Sequence, residues 1–352
     1  MDAGSRRGGR HSDVDILEKL GPPNISNATQ RRALLQSGNL ASALDRMVEI
    51  RVFEEQVQRL FLKGLIPGTT HTCQGQEAVC VGVASVVRTG DPVLCTYRGH
   101  GWALALGLPP VSALGEIMGK TVGCTGGLGG SMHLSDRSVG FWPTIAIIGA
   151  QLPIAAGAAI ASQIRGDGAV TVAVFGDGAV NIGAFHEALN FAAVSSLPVV
   201  FICENNLYGE YSRIDRTTAV SDIASRAAAY NIPGVIVDGQ VVGDVRRVAQ
   251  AAIDRARAGG GPTLIEAKTY RYVGHSRADP TKYRLAGELE TWQARDPLKL
   301  LAAAIQPEAA DQLIASLRDR WETVMAGVVD TVVAAPEPDE RDMFRHVYAP
   351  IR

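Results

Sequence analysis

Two short apolar runs, Ala169–Phe175 and Pro198–Cys203, constrain this chain most, because of what stands at their ends. Each is rich in β-branched residues and of strand length, the pattern of a buried strand. The first delivers Gly176-Asp177-Gly178 to its C-terminal end, and the second delivers Glu204-Asn205-Asn206. Between them Gly183–Ser195 reads as a helix, with Phe185, Leu189, Ala192 and Ala193 on one face. The unit is therefore βαβ, and in an open parallel sheet ligands bind beyond the carboxyl ends of the strands. Asp177 and the side-chain oxygen of Asn206 then share one rim. Hard oxygens in that arrangement suit Mg²⁺, which keeps open positions for phosphate oxygens. The glycines let backbone N–H groups approach an anion closely.

A second copy of the tripeptide serves as a control. Gly166-Asp167-Gly168 precedes the strand and has no Asn pair at the right distance, so it reads as a plain turn.

Further strands and helices alternate along the chain. The sequence predicts helices over 39–63, 76–87, 153–164, 245–258 and 298–333, and strands at 93–95, 235–237 and 263–268. Gly123–Gly130 holds five glycines in eight residues, too flexible for a helix interior. Tyr270–Arg284 is polar and aromatic, an expected active-site loop. The alternation points to an α/β fold, a doubly wound, mostly parallel sheet flanked by helices, with N- and C-terminal helical extensions. We expect residues 1–30 to be a flexible polar leader, 31–334 one cofactor-binding domain and 335–352 a C-terminal tail.

Composition excludes several classes. A net charge of −2 gives no reason to expect nucleic acid or a membrane surface, and no apolar run reaches spanning length. The five cysteines lack CxxC spacing and read as free thiols of a reducing compartment. Met1–Asp13 carries arginines but no apolar h-region, unlike a secretory signal. A cytoplasmic protein is expected, or one of the mitochondrial matrix in a eukaryote.

The 26 residues between Gly176-Asp177-Gly178 and Asn205-Asn206 match the thiamin-diphosphate motif. Other segments extend the likeness: Gly75-Gln76-Glu77-Ala78, Tyr97-Arg98-Gly99-His100-Gly101, Gly129-Gly130-Ser131-Met132-His133, Gly149-Ala150-Gln151 and Tyr270-Arg271-Tyr272-Val273-Gly274-His275-Ser276. From about Leu40 to Pro338 the chain resembles the E1 α subunit of 2-oxoacid dehydrogenase complexes, of the pyruvate and acetoin type.

That resemblance implies a thiamin-diphosphate-binding fold of the diphosphate-binding type. It implies Mg²⁺ held by Asp177, the side-chain oxygen of Asn206 and the backbone carbonyl of Tyr208. Gly178 and Ala179 would offer N–H groups to the diphosphate at the start of the Gly183 helix region, and Tyr97, Arg98 and His275 would bind it too. Ala146 and Ile148 would contact the aminopyrimidine through their backbone. His71 and His275 would act near the reacting centre, with Arg271 ordering their loop. The reaction implied is oxidative decarboxylation of a small 2-oxo acid, pyruvate first, with the acyl group passed to a lipoyl-bearing E2 acyltransferase. Acetoin cleavage is the sibling alternative, and branched-chain oxo acids a more distant one. The glutamate that polarises the aminopyrimidine belongs to a second domain not legible here, so an E1 β subunit is expected to supply it in an α₂β₂ assembly.

Departures from the family pattern are Ala146 where glycine is common, Val273 where pyruvate-type relatives often carry histidine, and Lys282 where some carry a phosphorylatable serine. Ser276 remains a candidate regulatory serine. From other classes, a nicotinamide-binding dehydrogenase would need a strand–GxGxxG–helix turn, which Gly123–Gly130 does not offer. A non-catalytic scaffold would have no use for Asp177, Asn206, Arg98, His71 and His275 together.

Overall fold

Alternating residues along the central strands explain the architecture. In the computed structural model, which describes Leu20, residues 25–276 and 278–345, and Val347, five strands form one parallel sheet. They are β1 (Val93–Leu94), β2 (Thr171–Gly176), β3 (Val199–Asn205), β6 (Gly234–Asp238) and β7 (Thr263–Lys268), in the order β1-β2-β3-β7-β6. A separate antiparallel pair, β4 (Tyr208–Gly209) and β5 (Ser212–Arg213), forms a small ribbon beyond β3.

Because successive side chains point to opposite faces, Val172 and Val174 join one core, while Ala173 and Phe175 join the other. Val200 and Ile202 likewise part from Val199, Phe201 and Cys203. The first face is covered by the helices Leu40–Leu62, Glu77–Ala84, Val242–Arg257 and Ala310–Ala334, among others. The second is covered by Gln151–Arg165 and Gly183–Val194. Both faces are buried, as a doubly wound parallel sheet requires.

The structure corrects several expectations. The helix expected over 298–333 is two, Pro297–Ile305 and Ala310–Ala334, separated by a 3₁₀ turn at Pro307–Ala309. Pro307 lacks an N–H and disfavours helical backbone in the residue before it, and Gln306 leaves the helical region, at φ −146° and ψ 81°. A helix, Ala28–Gln36, capped by the Asn27 side chain, begins inside the stretch expected as leader. Residues 1–19 and 21–24 lie outside the described ones. Gly123–Gly130 forms no helix, as expected, and it is ordered by the buried Glu116 carboxylate, which accepts N–H bonds from Thr125, Gly127, Gly129 and Gly130. Gly166-Asp167-Gly168 is the turn expected of it, with Asp167 accepting from Ser162, Arg165 and the Ala169 N–H. All five cysteines are free, and four are buried. Among the described residues no helix is long and apolar enough to cross a membrane.

Candidate active site

Parallel register decides which residues meet. Gly176 pairs with Glu204 across β2 and β3, so the chain leaves both strands on the same edge. Asp177 opens a 3₁₀ turn, Asp177–Asn181, and Ile182 is extended before the Gly183–Val194 helix begins. Gly178 and Ala179 therefore lie on this turn, not on the helix N-terminus expected to carry them.

On the β3 side the chain reverses sharply. The Asn205 Oδ1 accepts the Leu207 N–H (3.2 Å), and Leu207 adopts a left-handed φ of 73°. The Asn206 N–H donates to Asp177 Oδ1 (3.3 Å), while its Nδ2 donates to Gln76 Oε1 (3.2 Å). Asn206 Oδ1 accepts the Tyr208 N–H at 3.3 Å. The Tyr208 hydroxyl donates to Glu288 (2.7 Å), fixing the ribbon from outside. Across the cleft floor Gly178 faces Gly209: a Cβ on Gly178 would sit 3.0 Å from the Gly209 Cα, so any side chain there would crowd the turn.

Asp177 is buried, and burial pushes its carboxyl up to about 6. Among the described residues it makes no ion pair. A desolvated carboxylate beside amide and carbonyl oxygens suits a hard cation better than a soft one. No group of three or more His, Cys, Asp or Glu side chains forms a metal cluster among the described residues.

The facing wall is cationic. Arg98 is buried and donates to the carbonyls of Thr72 (2.6 Å) and His275 (3.0 Å). Arg271, 1 % exposed, donates to the Glu210 carbonyl (3.0 Å) and the Tyr283 hydroxyl (2.8 Å). Neither guanidinium forms an ion pair with a carboxylate among the described residues. Burial, then repulsion from Arg98, lowers Arg271 to about 10. Two neighbouring buried cations are expensive without an anion, and a diphosphate is an anion of the right chemistry for their forked donors.

Between the walls stand two imidazoles. The His71 ring lies 4.3 Å from the Tyr97 ring and 4.9 Å from that of His275, centre to centre. Its Nδ1 is buried with no hydrogen-bond partner. Burial, then Arg98, lowers His71 to about 3 and His275 to about 4, so both rings are neutral at physiological pH. A buried, unpartnered ring nitrogen and two unneutralised guanidinia fit a bound thiamin diphosphate.

All eleven residues expected at the site line one cleft of about 780 Å³: His71, Tyr97, Arg98, Ala146, Ile148, Asp177, Gly178, Ala179, Asn206, Tyr208 and His275. Of the other lining residues, Gln76 and Glu204 make contacts that bear on the site; neither received a role from sequence, and both sit in segments singled out above. Gln76 ties the Asn206 amide, as described. Glu204 is buried beside Trp102, whose Nε1 donates to it at 3.3 Å, and burial raises its carboxyl to about 7. Arg271, expected only to order its loop, is itself a wall of the cleft.

Comparison with known proteins gives the family. The model of the dehydrogenase E1 component family matches residues 45–334. The α subunit of acetoin:2,6-dichlorophenolindophenol oxidoreductase from Cupriavidus necator is 41% identical over 317 residues, covering 89% of this chain and 95% of that one. Pyruvate dehydrogenase E1 component subunit α from Porphyra purpurea is 40% identical over 312 residues (85% and 90%). The corresponding subunit from Zymomonas mobilis is 40% identical over 308 residues (86% of each chain). The chain belongs to the dehydrogenase E1 component family, whose fold is thiamin-diphosphate-dependent.

Proposed function

We propose that this chain is an E1 α subunit that, with a β subunit, decarboxylates pyruvate oxidatively and passes the acyl group to the lipoyl group of an E2 acyltransferase. The observation that carries the reading is the meeting of buried Arg98 and Arg271 with Asp177 and Asn206 around one cleft. When bound, thiamin diphosphate supplies the carbon nucleophile that adds to a carbonyl, and the protein's task is to hold and orient it. Asp177, Asn206 Oδ1 and the Tyr208 carbonyl would hold Mg²⁺, and the metal would neutralise the buried carboxylate. Arg98, Tyr97, His275 and the N–H groups of Gly178 and Ala179 would bind the diphosphate. The backbone at Ala146 and Ile148 would meet the aminopyrimidine; the Ala146 Cβ narrows that approach relative to glycine.

His71 and His275, held neutral by burial, can each accept a proton at one ring nitrogen and donate a hydrogen bond from the other. Glu204 holds a proton near neutrality at the cleft wall. The glutamate that polarises the aminopyrimidine would come from the β subunit of an α₂β₂ assembly, in the cytoplasm or a mitochondrial matrix.

Acetoin is a second reading, supported by relatives from Cupriavidus necator and Bacillus subtilis that carry that name at 41% and 40% identity. Turnover of the reconstituted αβ protein with pyruvate, acetoin and 3-methyl-2-oxobutanoate, with Mg²⁺, thiamin diphosphate and 2,6-dichlorophenolindophenol, decides among them. Pyruvate is expected to be used with the highest kcat/KM. No Mg²⁺- and cofactor-dependent turnover of any of the three would overturn the assignment.

A further inference from the structure

Glu266 is an anomaly in its strand. β7 reads Thr-Leu-Ile-Glu-Ala-Lys, lies between β3 and β6, and buries Glu266 completely. It makes no ion pair among the described residues, and no cation repays its desolvation. Its two oxygens have specific duties. Oε1 accepts from Asn205 Nδ2 at 2.7 Å, and Oε2 accepts the Ala224 N–H at 2.9 Å.

Asn205 in turn shapes the reversal that follows it. With Nδ2 held by Glu266, its Oδ1 is presented to the N–H of Leu207 (3.2 Å), the residue with left-handed φ. The Asn205 carbonyl is also fixed, accepting the Thr269 N–H from the end of β7 at 2.9 Å. The Leu207 carbonyl accepts the Ile214 N–H (2.9 Å), closing the β4–β5 ribbon on the same turn. A left-handed non-glycine residue persists only where its surroundings over-determine it. The atoms on either side of Leu207 are Asn206 Oδ1 and the Tyr208 carbonyl, the two oxygens assigned to the metal beside Asp177.

We propose that Glu266 is a positioning residue for the metal site, acting through Asn205 to hold the Asn206–Tyr208 turn in its coordinating shape. The inference rests on the assignment of Asn206 and Tyr208 as metal ligands. Removal of outer partners of metal ligands weakens metal affinity by about 10- to 100-fold. Glu266→Gln has one acceptor oxygen for two donors, so either Asn205 or Ala224 loses its partner.

The test is calorimetric titration of Mg²⁺ into the full chain assembled with its β partner at saturating thiamin diphosphate. The proteins compared are wild type, Glu266→Gln, Asn205→Ala, their double variant and Asn206→Ala. The expected result is about 10- to 100-fold weaker Mg²⁺ binding in each of the first two single variants. The double variant is then no weaker than the weaker single one, because both act through one chain of contacts. Independent losses that multiply in the double variant would overturn the inference and leave Glu266 a structural anchor for Ala224. So would a Glu266→Gln affinity within about twofold of wild type while Asn206→Ala binds weakly. If Asn206→Ala itself binds Mg²⁺ normally, the ligand assignment fails and the inference with it. Should Glu266→Gln not assemble, Asn205→Ala alone decides: wild-type Mg²⁺ affinity there refutes the role.

Discussion

Replacing Asp177 by Asn is expected to stabilise the protein prepared without cofactor or metal while destroying its hold on Mg²⁺. The carboxyl is buried, and its affinity for a proton rises from an ordinary 3.8 to about 6. At about 1.4 kcal/mol per tenfold change in affinity, that burial costs about 3 kcal/mol when the group is ionised. The sign follows from linkage. Below pH 3.8 the group is protonated whether the chain is folded or unfolded, and nothing is lost. Between pH 3.8 and about 6 the unfolded chain releases the proton while the folded one keeps it, so stability falls as pH rises. Above about 6 the full penalty stands. Asparagine keeps an acceptor oxygen for the Asn206 N–H and carries no charge, so the penalty disappears. The melting midpoint of metal-free Asp177→Asn should exceed that of wild type at pH 7.5 by about 3–6 °C, scaled from domains somewhat smaller than this. The gap should close toward pH 4.5, and Mg²⁺ with thiamin diphosphate should raise the wild-type midpoint only. Scanning calorimetry from pH 4.5 to 8 measures all three. A variant less stable than wild type at pH 7.5, or a gap indifferent to pH, would refute the claim that an uncompensated buried charge stands at Asp177.

Arg98→Lys keeps the charge and loses the fork, and should weaken thiamin diphosphate binding by about tenfold or more, read by calorimetric titration at fixed Mg²⁺. Gly75→Ala puts a Cβ at 2.3 Å from the Tyr270 carbonyl oxygen, at a φ of +95°; a loss of more than about 2 kcal/mol is expected, checked by denaturant unfolding. Glu116→Gln leaves part of a four-donor nest without an acceptor, and should cost about 1–3 kcal/mol, with faster amide exchange confined to residues 123–130. His71→Ala should lower kcat by about 10²–10⁴ while thiamin diphosphate affinity stays within a few-fold.

The sheet was legible because its strands are mostly apolar, β-branched runs bounded by glycine, proline or polar motifs. The predicted 263–268 coincides with β7 residue for residue. The candidate site was legible because Asp177 and Asn206 follow strand ends directly. What stayed hidden depends on partners distant in sequence. The helix Ala28–Gln36 is polar in composition, yet it buries Arg31 against Glu49 and Arg32 on the carbonyls of Val87 and Val139. Glu116 looks like an ordinary helical surface residue until the glycine loop folds round it. Glu266 stands out as a charge inside a strand, but its partners Asn205 and Ala224 are distant in sequence, and the charge of Arg271 gains meaning only when Arg98 is placed beside it.

The pair Arg98 and Arg271 has a consequence for the lifetime of the molecule. Neither forms an ion pair with a carboxylate among the described residues, so an anion bound from solution would supply their nearest counter-charge. Whatever binds the folded state alone stabilises it by mass action, which makes the vitamin derivative a component of the finished fold. Its free concentration would then set how many copies survive unfolding and proteolysis, and not only how many turn over.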